Sequence, residues 1–149
     1  MKSILMILLL VILLSFGCAT ITTRMYTGDE LPKEQVAIIE GRDTFLFIPL
    51  PILWASRSAV EILEVDGKPL SRPTKKCEVL PGLHNVGVQA YYIRFSVADL
   101  EASRSGSLQF NAEAGHQYKI NVRYRNWQIP AFRVNVIDTK SGEIVASYP

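Results

Sequence analysis

Few residues in this chain could do chemistry. Its 149 residues include two histidines, His84 and His116, and two cysteines, Cys18 and Cys77. Each histidine follows a turn and opens a run that alternates like a strand, His84 after Pro81-Gly82-Leu83 and His116 after Gly115. A ring hydrogen bond that fixes the turn backbone is the expected role of both. Zinc held by His84, His116 and Cys77 would need all three to converge, and none of the usual ligand spacings occurs, so no metal and no other cofactor is expected. A Ser-His-Asp arrangement lacks its Gly-x-Ser-x-Gly elbow, and the serines fall in tether, loop or edge positions. The acids alternate outward on strands or sit in turns, whereas a glycosidase needs two of them placed in a cleft. No phosphate loop or dinucleotide fingerprint occurs. The sequence therefore points away from an enzyme. In Cys77-Glu78-Val79-Leu80, alternation places Cys77 with Val79 on one face, where a thiol acts as a small hydrophobe. The sharper alternative is a reactive or intermolecularly paired thiol beside Lys75 and Lys76.

The compartment is set by Met1 to Cys18, MKSILMILLLVILLSFGC. Lys2 supplies a positive start, Ile4 to Leu14 an unbroken apolar run, and Ser15-Phe16-Gly17 a small-residue approach to Cys18, the order of parts in a bacterial export signal. Gly17-Cys18 after such a run resembles the lipobox of bacterial lipoproteins. That family usually has Leu three positions before the Cys; here Leu14 is four before and Ser15 takes the place. The resemblance implies acylation of Cys18 and removal of residues 1–17 as a signal peptide. Two other readings stay open. Ser3 to Thr23 is uncharged and long enough to serve as an uncleaved anchor, and Gly17-Cys18-Ala19 could be cut by ordinary signal peptidase. All three export the chain. Losing Lys2 from 16 basic residues, against 14 acidic, leaves a formal charge of about +1. That balance, with Lys and Arg scattered, argues against a nucleic-acid partner.

Residues 18–34 read as lipidated Cys and tether, and residues 35–149 as one domain. Val36 to Ile39 and Thr44 to Ile48 suit short strands, the second running into an extended segment because Pro49 and Pro51 remove backbone donors. Ala59 to Val65 alternates around an irregularity, Asp66-Gly67 marks a tight turn, and Lys68 to Lys76 is a polar stretch. Pro81-Gly82 is a second turn, after which Val86, Val88, Ala90 and Tyr92 share a face. Ser96 to Ser107 reads as a polar excursion with a short helix at Val97 to Arg104. Leu108, Phe110 and Ala112 alternate. Tyr118, Ile120, Val122 and Tyr124 then face one way, with Lys119, Asn121, Arg123 and Arg125 opposite. A solvated sheet face is the common meaning of that basic row, and binding of phosphate or acidic glycan the sharper one. Phe132, Val134 and Val136, a hairpin at Asp138 to Gly142, and Glu143 to Ala146 finish an all-β pattern of about eight strands.

Glu64-Val-Asp-Gly-Lys-Pro-Leu70 and Glu78-Val-Leu-Pro-Gly-Leu-His-Asn-Val-Gly-Val88, continued by Leu108 to Ile120, resemble the VDG…LPGxHxVxV pattern of PEGA-like β-domains on small bacterial envelope lipoproteins. The four-residue signature that names that family is absent. The resemblance implies a single antiparallel β-sandwich of immunoglobulin or transthyretin type, held at the cell envelope. The expected function is a non-catalytic, lipid-anchored binding or structural module for an envelope protein or polymer. Its membrane contact is the N-terminal lipid. Ala19 after the lipidated Cys resembles the non-Asp signal for transfer to an outer membrane, facing the periplasm, where a second membrane exists. The candidate contacts are Leu50, Ile52, Leu53, Trp54 and Trp127, since apolar and aromatic side chains beside a rigid sheet make interface anchors. Core filling by Leu50 to Trp54 is the plainer reading. The alternatives are a carbohydrate module for peptidoglycan, with Trp54, Trp127, Tyr91 or Tyr124 stacking on sugar, and a hydrolase with an unrecognised site.

Overall fold

The computed structural model describes residues 22–48, 54–95, 100–124 and 132–148, with side chains described over 22–43, 58–92, 103–123 and 133–148. The described residues form eleven strands in two sheets packed together, a β-sandwich with no helix among them. One sheet runs β1 (Thr23–Arg24), β6 (Lys76–Val79), β2 (Ala37–Gly41), β9 (Gln117–Tyr124), β10 (Phe132–Asp138), β11 (Ile144–Tyr148). The other runs β3 (Asp43–Ile48), β4 (Trp54–Val65), β7 (Gly82–Phe95), β8 (Leu100–Ala112), with β5 (Lys68–Thr74) also paired to β4. The ladders are antiparallel except β1 with β6 and β2 with β9.

Alternation builds the core between the sheets. Ile39, Cys77, Val79, Tyr118, Ile120, Val134 and Val136 of one sheet meet Val60, Ile62, Val65, Val86, Val88, Ala90, Leu108 and Phe110 of the other, all nearly or fully buried. Each such large aliphatic side chain contributes about 1.5–3 kcal/mol on leaving water. The rings of Phe110 and Tyr118 lie 5.0 Å apart. The irregularity in β4 is a bulge: Ile62 pairs with Val88 and Glu64 with Gly87, so Leu63 is the extra residue. It restores Val65 to the core face after Ile62.

Three segments differ from the sequence reading. Leu100 to Arg104, expected to be the end of a short helix, is strand; β8 pairs residue for residue with β7 from Arg94↔Leu100 to Gly82↔Ala112. The ladder supplies partners that the polar local sequence could not reveal. Lys68 to Thr74 is strand despite Pro69 and Pro73, because among the described residues β5 pairs with β4 alone and its other edge needs no donors. Of the stretch read as tether, Thr23 to Tyr26 are tied to the sheet. Thr23 and Arg24 pair with Cys77 and Glu78, Met25 packs against the core, and the Tyr26 hydroxyl donates to Glu78 at 3.2 Å.

The sandwich has two unlike ends. At the turn end lie Asp66-Gly67, Leu80 to Gly82, Glu113 to His116, and Thr139 to Glu143. From the open end, β3, β4, β7, β8, β9 and β10 lead into 49–53, 96–99 and 125–131. β2 starts at the turn end and becomes β3 by crossing from one sheet to the other at Arg42. The Arg42 N–H donates to the Ile120 carbonyl at 3.0 Å in the first sheet, and the Arg42 carbonyl accepts from the Val60 N–H at 3.1 Å in the second. Gly41 makes this crossing possible: a Cβ there would lie 2.1 Å from the Val60 carbonyl oxygen.

Candidate functional site

At the turn end both histidines tie turns together, His84 through a carboxylate and a backbone carbonyl and His116 through side chains alone. Asp66 and Gly67 take positive φ of 53° and 71°, the conformation a two-residue hairpin turn requires. Asp66 Oδ1 accepts from the Asn85 N–H at 2.9 Å, and Oδ2 lies 2.7 Å from His84 Nδ1. His84 Nε2 lies 2.7 Å from the Leu80 carbonyl oxygen. Two acceptors flank one ring, so both contacts are hydrogen bonds only when both ring nitrogens carry hydrogen. Burial opposes ionisation of Asp66, but the Asn85 N–H, the His84 ring and Lys68 outweigh it and hold the carboxyl below its ordinary pKa. The result ties the β4–β5 turn to the turn before β7.

His116 does the same between the turn before β9 and the β10–β11 hairpin. Its Nδ1 lies 2.9 Å from Oδ2 of buried Asp138, which also accepts from the Ser141 hydroxyl at 3.2 Å, while Asp138 Oδ1 accepts from the Lys140 N–H at 2.9 Å. Burial raises the Asp138 pKa, and these donors together with the His116 charge more than reverse it, leaving the carboxyl below its ordinary value. An Asp-His pair is two-thirds of a hydrolytic triad, but the third member is in the wrong place. Ser141 bonds the carboxylate, and His116 Nε2, where a nucleophile would stand, faces Lys140 Nζ at 3.3 Å and Glu113 at 3.5 Å. Cys77 is fully buried, and burial, with the Glu78 charge adding to it, pushes its thiol up to about 12. That is the small-hydrophobe role expected of it. Among the described residues no group of three His, Cys, Asp or Glu could hold a metal.

The open half of the six-stranded sheet is built differently. β2 pairs with β9 only as far as Gly41↔Ile120, because the chain then crosses to the other sheet. Among the described residues, β9 beyond Ile120 is left with β10 as its only ladder partner, and a pocket of about 340 Å3 opens beside the crossing. Its lining carries Arg42, Asn121, Arg123 and Asn135 with Ile137 and Ile144. Register explains the grouping. Asn121 is opposite Asn135 and Ile137 is opposite Ile144, all on the face of the sheet turned away from the core. Asn135 is 5% exposed although it sits on that outer face.

Two features of this pocket work against the fold. Asn121 Oδ1 is buried and has no hydrogen-bond partner among the described residues, a loss of about 1–3 kcal/mol relative to a satisfied amide. Arg123 stands directly opposite Arg133, and like charges in facing positions repel. The nearby acids are already engaged. Glu40 accepts from Gln117 Nε2 at 2.6 Å, and Asp43 pairs with Lys75 at 2.6 Å; both border a second hollow that shares Arg42. The pocket therefore offers guanidinium donors, one unfilled amide acceptor and an aliphatic wall.

Of the residues proposed from sequence, Cys18, Leu50, Ile52, Leu53 and Trp127 lie outside the described residues. Trp54 opens β4 opposite Ile48, so its backbone is ladder rather than loop. Alternation along β9 had marked Asn121 and Arg123 as an outer row. Arg42 and Asn135 were missed, and the one local signal was Gly41-Arg42 between two apolar strands. The chain matches no family model, no curated protein and no solved structure.

Proposed function

We propose that the protein is a non-catalytic module held at the cell envelope by lipid on Cys18, and that it meets other envelope components, a protein or a polymer, through its open end. The observation that carries this is the contrast in polar satisfaction. The groups that could do acid-base or thiol chemistry are absorbed by the turns and the core, while the corner pocket keeps donors and an acceptor for something outside the chain. A buried polar group left without a protein partner calls for something beyond the chain, a water, an ion or a ligand.

Metabolic labelling with a radioactive fatty acid tests the anchor: wild type incorporates label and Cys18→Ala does not. Label retained in Cys18→Ala removes the lipoprotein reading. Photo-crosslinking in living cells from position 123, at the pocket rim, tests the contact surface. Adducts with an envelope component are expected there and not from position 67 at the turn end; the reverse pattern overturns the assignment.

A further inference from the structure

The crossing at Arg42 leaves part of β9 with an open edge. The His116 and Ile120 carbonyls accept from the Ile38 and Arg42 N–H groups, each at 3.0 Å, whereas the Gln117 carbonyl accepts from the Thr139 N–H at 2.8 Å on the β10 side. Even-numbered residues of β9 therefore aim their backbone groups at β2 and odd-numbered ones at β10. By the same period the N–H and carbonyl of Val122, and of Tyr124 after it, point at the place that β2 has vacated. The Arg42 carbonyl, next in line to accept from the Val122 N–H, takes the Val60 N–H at 3.1 Å in the other sheet. Among the described residues no strand fills the gap. The pocket lies along this edge, since its lining wraps around β9 from Ser58 and Val122 on the inner side to Arg42 and Arg123 on the outer. An open row of backbone donors and acceptors is a template for a strand from another chain.

We infer that this edge takes the C-terminal end of a partner protein, laid as a short strand antiparallel to β9 with its carboxylate against Arg42. The inference rests on the open-end contact proposed above and narrows it to a protein tail. Direction follows from charge and from what closes the notch. Arg42 blocks one end, and the other runs out past Tyr124. A segment lying antiparallel to β9 ends at Arg42 with a carboxylate, whereas a parallel one begins there with an ammonium. Arg42 and Arg123 have no ion-pair partner among the described residues, Arg133 faces Arg123, and the nearest acids, Glu40 and Asp43, are held by Gln117 and Lys75. Guanidinium donors of this kind favour the carboxylate and repel the ammonium. Alternate side chains of the added strand fall on opposite faces, so acids fit outward beside Arg42 and Arg123, and aliphatic groups fit inward beside half-buried Val122. Main-chain pairing supplies the affinity, and the alternation supplies the selection.

Fluorescence anisotropy on the full chain in neutral detergent tests this with two N-terminally labelled hexapeptides that alternate valine and glutamate, one ending in valine and the other in glutamate, each as free acid and as C-terminal amide. One of the two phases binds, and its free acid binds about tenfold tighter than its amide. Arg42→Gln, its fold checked by circular dichroism, removes that difference. Methylating the backbone nitrogens of the bound peptide one at a time separates strand addition from simple charge attraction. Affinity falls about tenfold at every second amide near the C-terminus and changes little at those between, because only alternate N–H groups face β9. Equal binding of acid and amide, no change in Arg42→Gln, or methylation effects without alternation each overturn the inference. So does failure of both peptides to bind, and a hyaluronate hexasaccharide binding in their place reassigns the notch to an acidic glycan. The crosslink from position 123 and the fatty-acid label at Cys18 report contact and anchor whatever the strand pairing, so adducts at 123 with failed peptides remove this inference alone.

Discussion

The two ends of the sandwich use similar polar residues to opposite effect. At the turn end Asp66, His84, His116 and Asp138 each find partners within the chain, and the His84–Asp66 and His116–Asp138 contacts each join two loops distant in sequence. At the corner, Asn121 keeps an unpartnered oxygen and Arg123 faces another arginine. The difference teaches how to tell a polar group that serves the fold from one held for something else. Removing the first should destabilise the protein; removing the second should not.

The sharpest way to break the comparison is to remove the corner itself. Gly41→Ala places a Cβ against the Val60 carbonyl, which the ladder cannot move, and should lower stability by about 3 kcal/mol or more in urea unfolding. A loss below about 1 kcal/mol would show that the sheets do not approach so closely there. The pocket should be lost with the fold.

Asp138→Ala comes next and probes the satisfied end. It strands the Lys140 N–H and the His116 ring, and should lower the unfolding free energy at pH 7 by about 2 kcal/mol. The sign with pH follows from the depressed pKa. The folded carboxylate is favoured above the ordinary Asp value of 3.8, so its contribution is complete above that pH and fades as pH falls through the lower folded value. Wild type and Asp138→Ala should therefore converge in acid, as measured by urea midpoints at pH 7 and pH 2.5; a constant gap would contradict the assignment.

The smallest effect has the opposite sign. Asn121→Leu removes an unsatisfied amide from the outer face and should raise stability by about 1 kcal/mol, read as a higher thermal midpoint, while weakening whatever the pocket holds. A clear loss of stability would mean that Asn121 belongs with Asp138 as part of the scaffold.

Much of the inner architecture was legible because burial on one sheet face imposes a period of two. Val86, Val88 and Ala90, then Leu108, Phe110 and Ala112, then Tyr118 and Ile120, announced their strands by alternation, and the structure buries all of them. The turn at Asp66-Gly67 was equally plain, since few sequences accept two consecutive positive φ values. Polar stretches were harder. Leu100 to Arg104 and Lys68 to Thr74 have no apolar face to declare, and both became strand because a long neighbour offered free ladder positions. The half of the site on β9, Asn121 and Arg123, showed as a polar row. Its depth did not, because depth depends on which strand leaves the sheet beside it.

Sequence alone pointed to the all-β class, the core faces and an inward Cys77, because each follows from local alternation between water and interior. It also placed each histidine beside a turn, and the His84 ring does reach the Leu80 carbonyl four residues away. Which carboxylate each histidine met, and the pocket at Arg42, were decided by tertiary structure. Asp66 is 18 residues from His84, Asp138 is 22 from His116, and the corner exists only because one strand serves two sheets. Pairings between distant segments are set by the register and packing of the whole sandwich, and no local pattern records them.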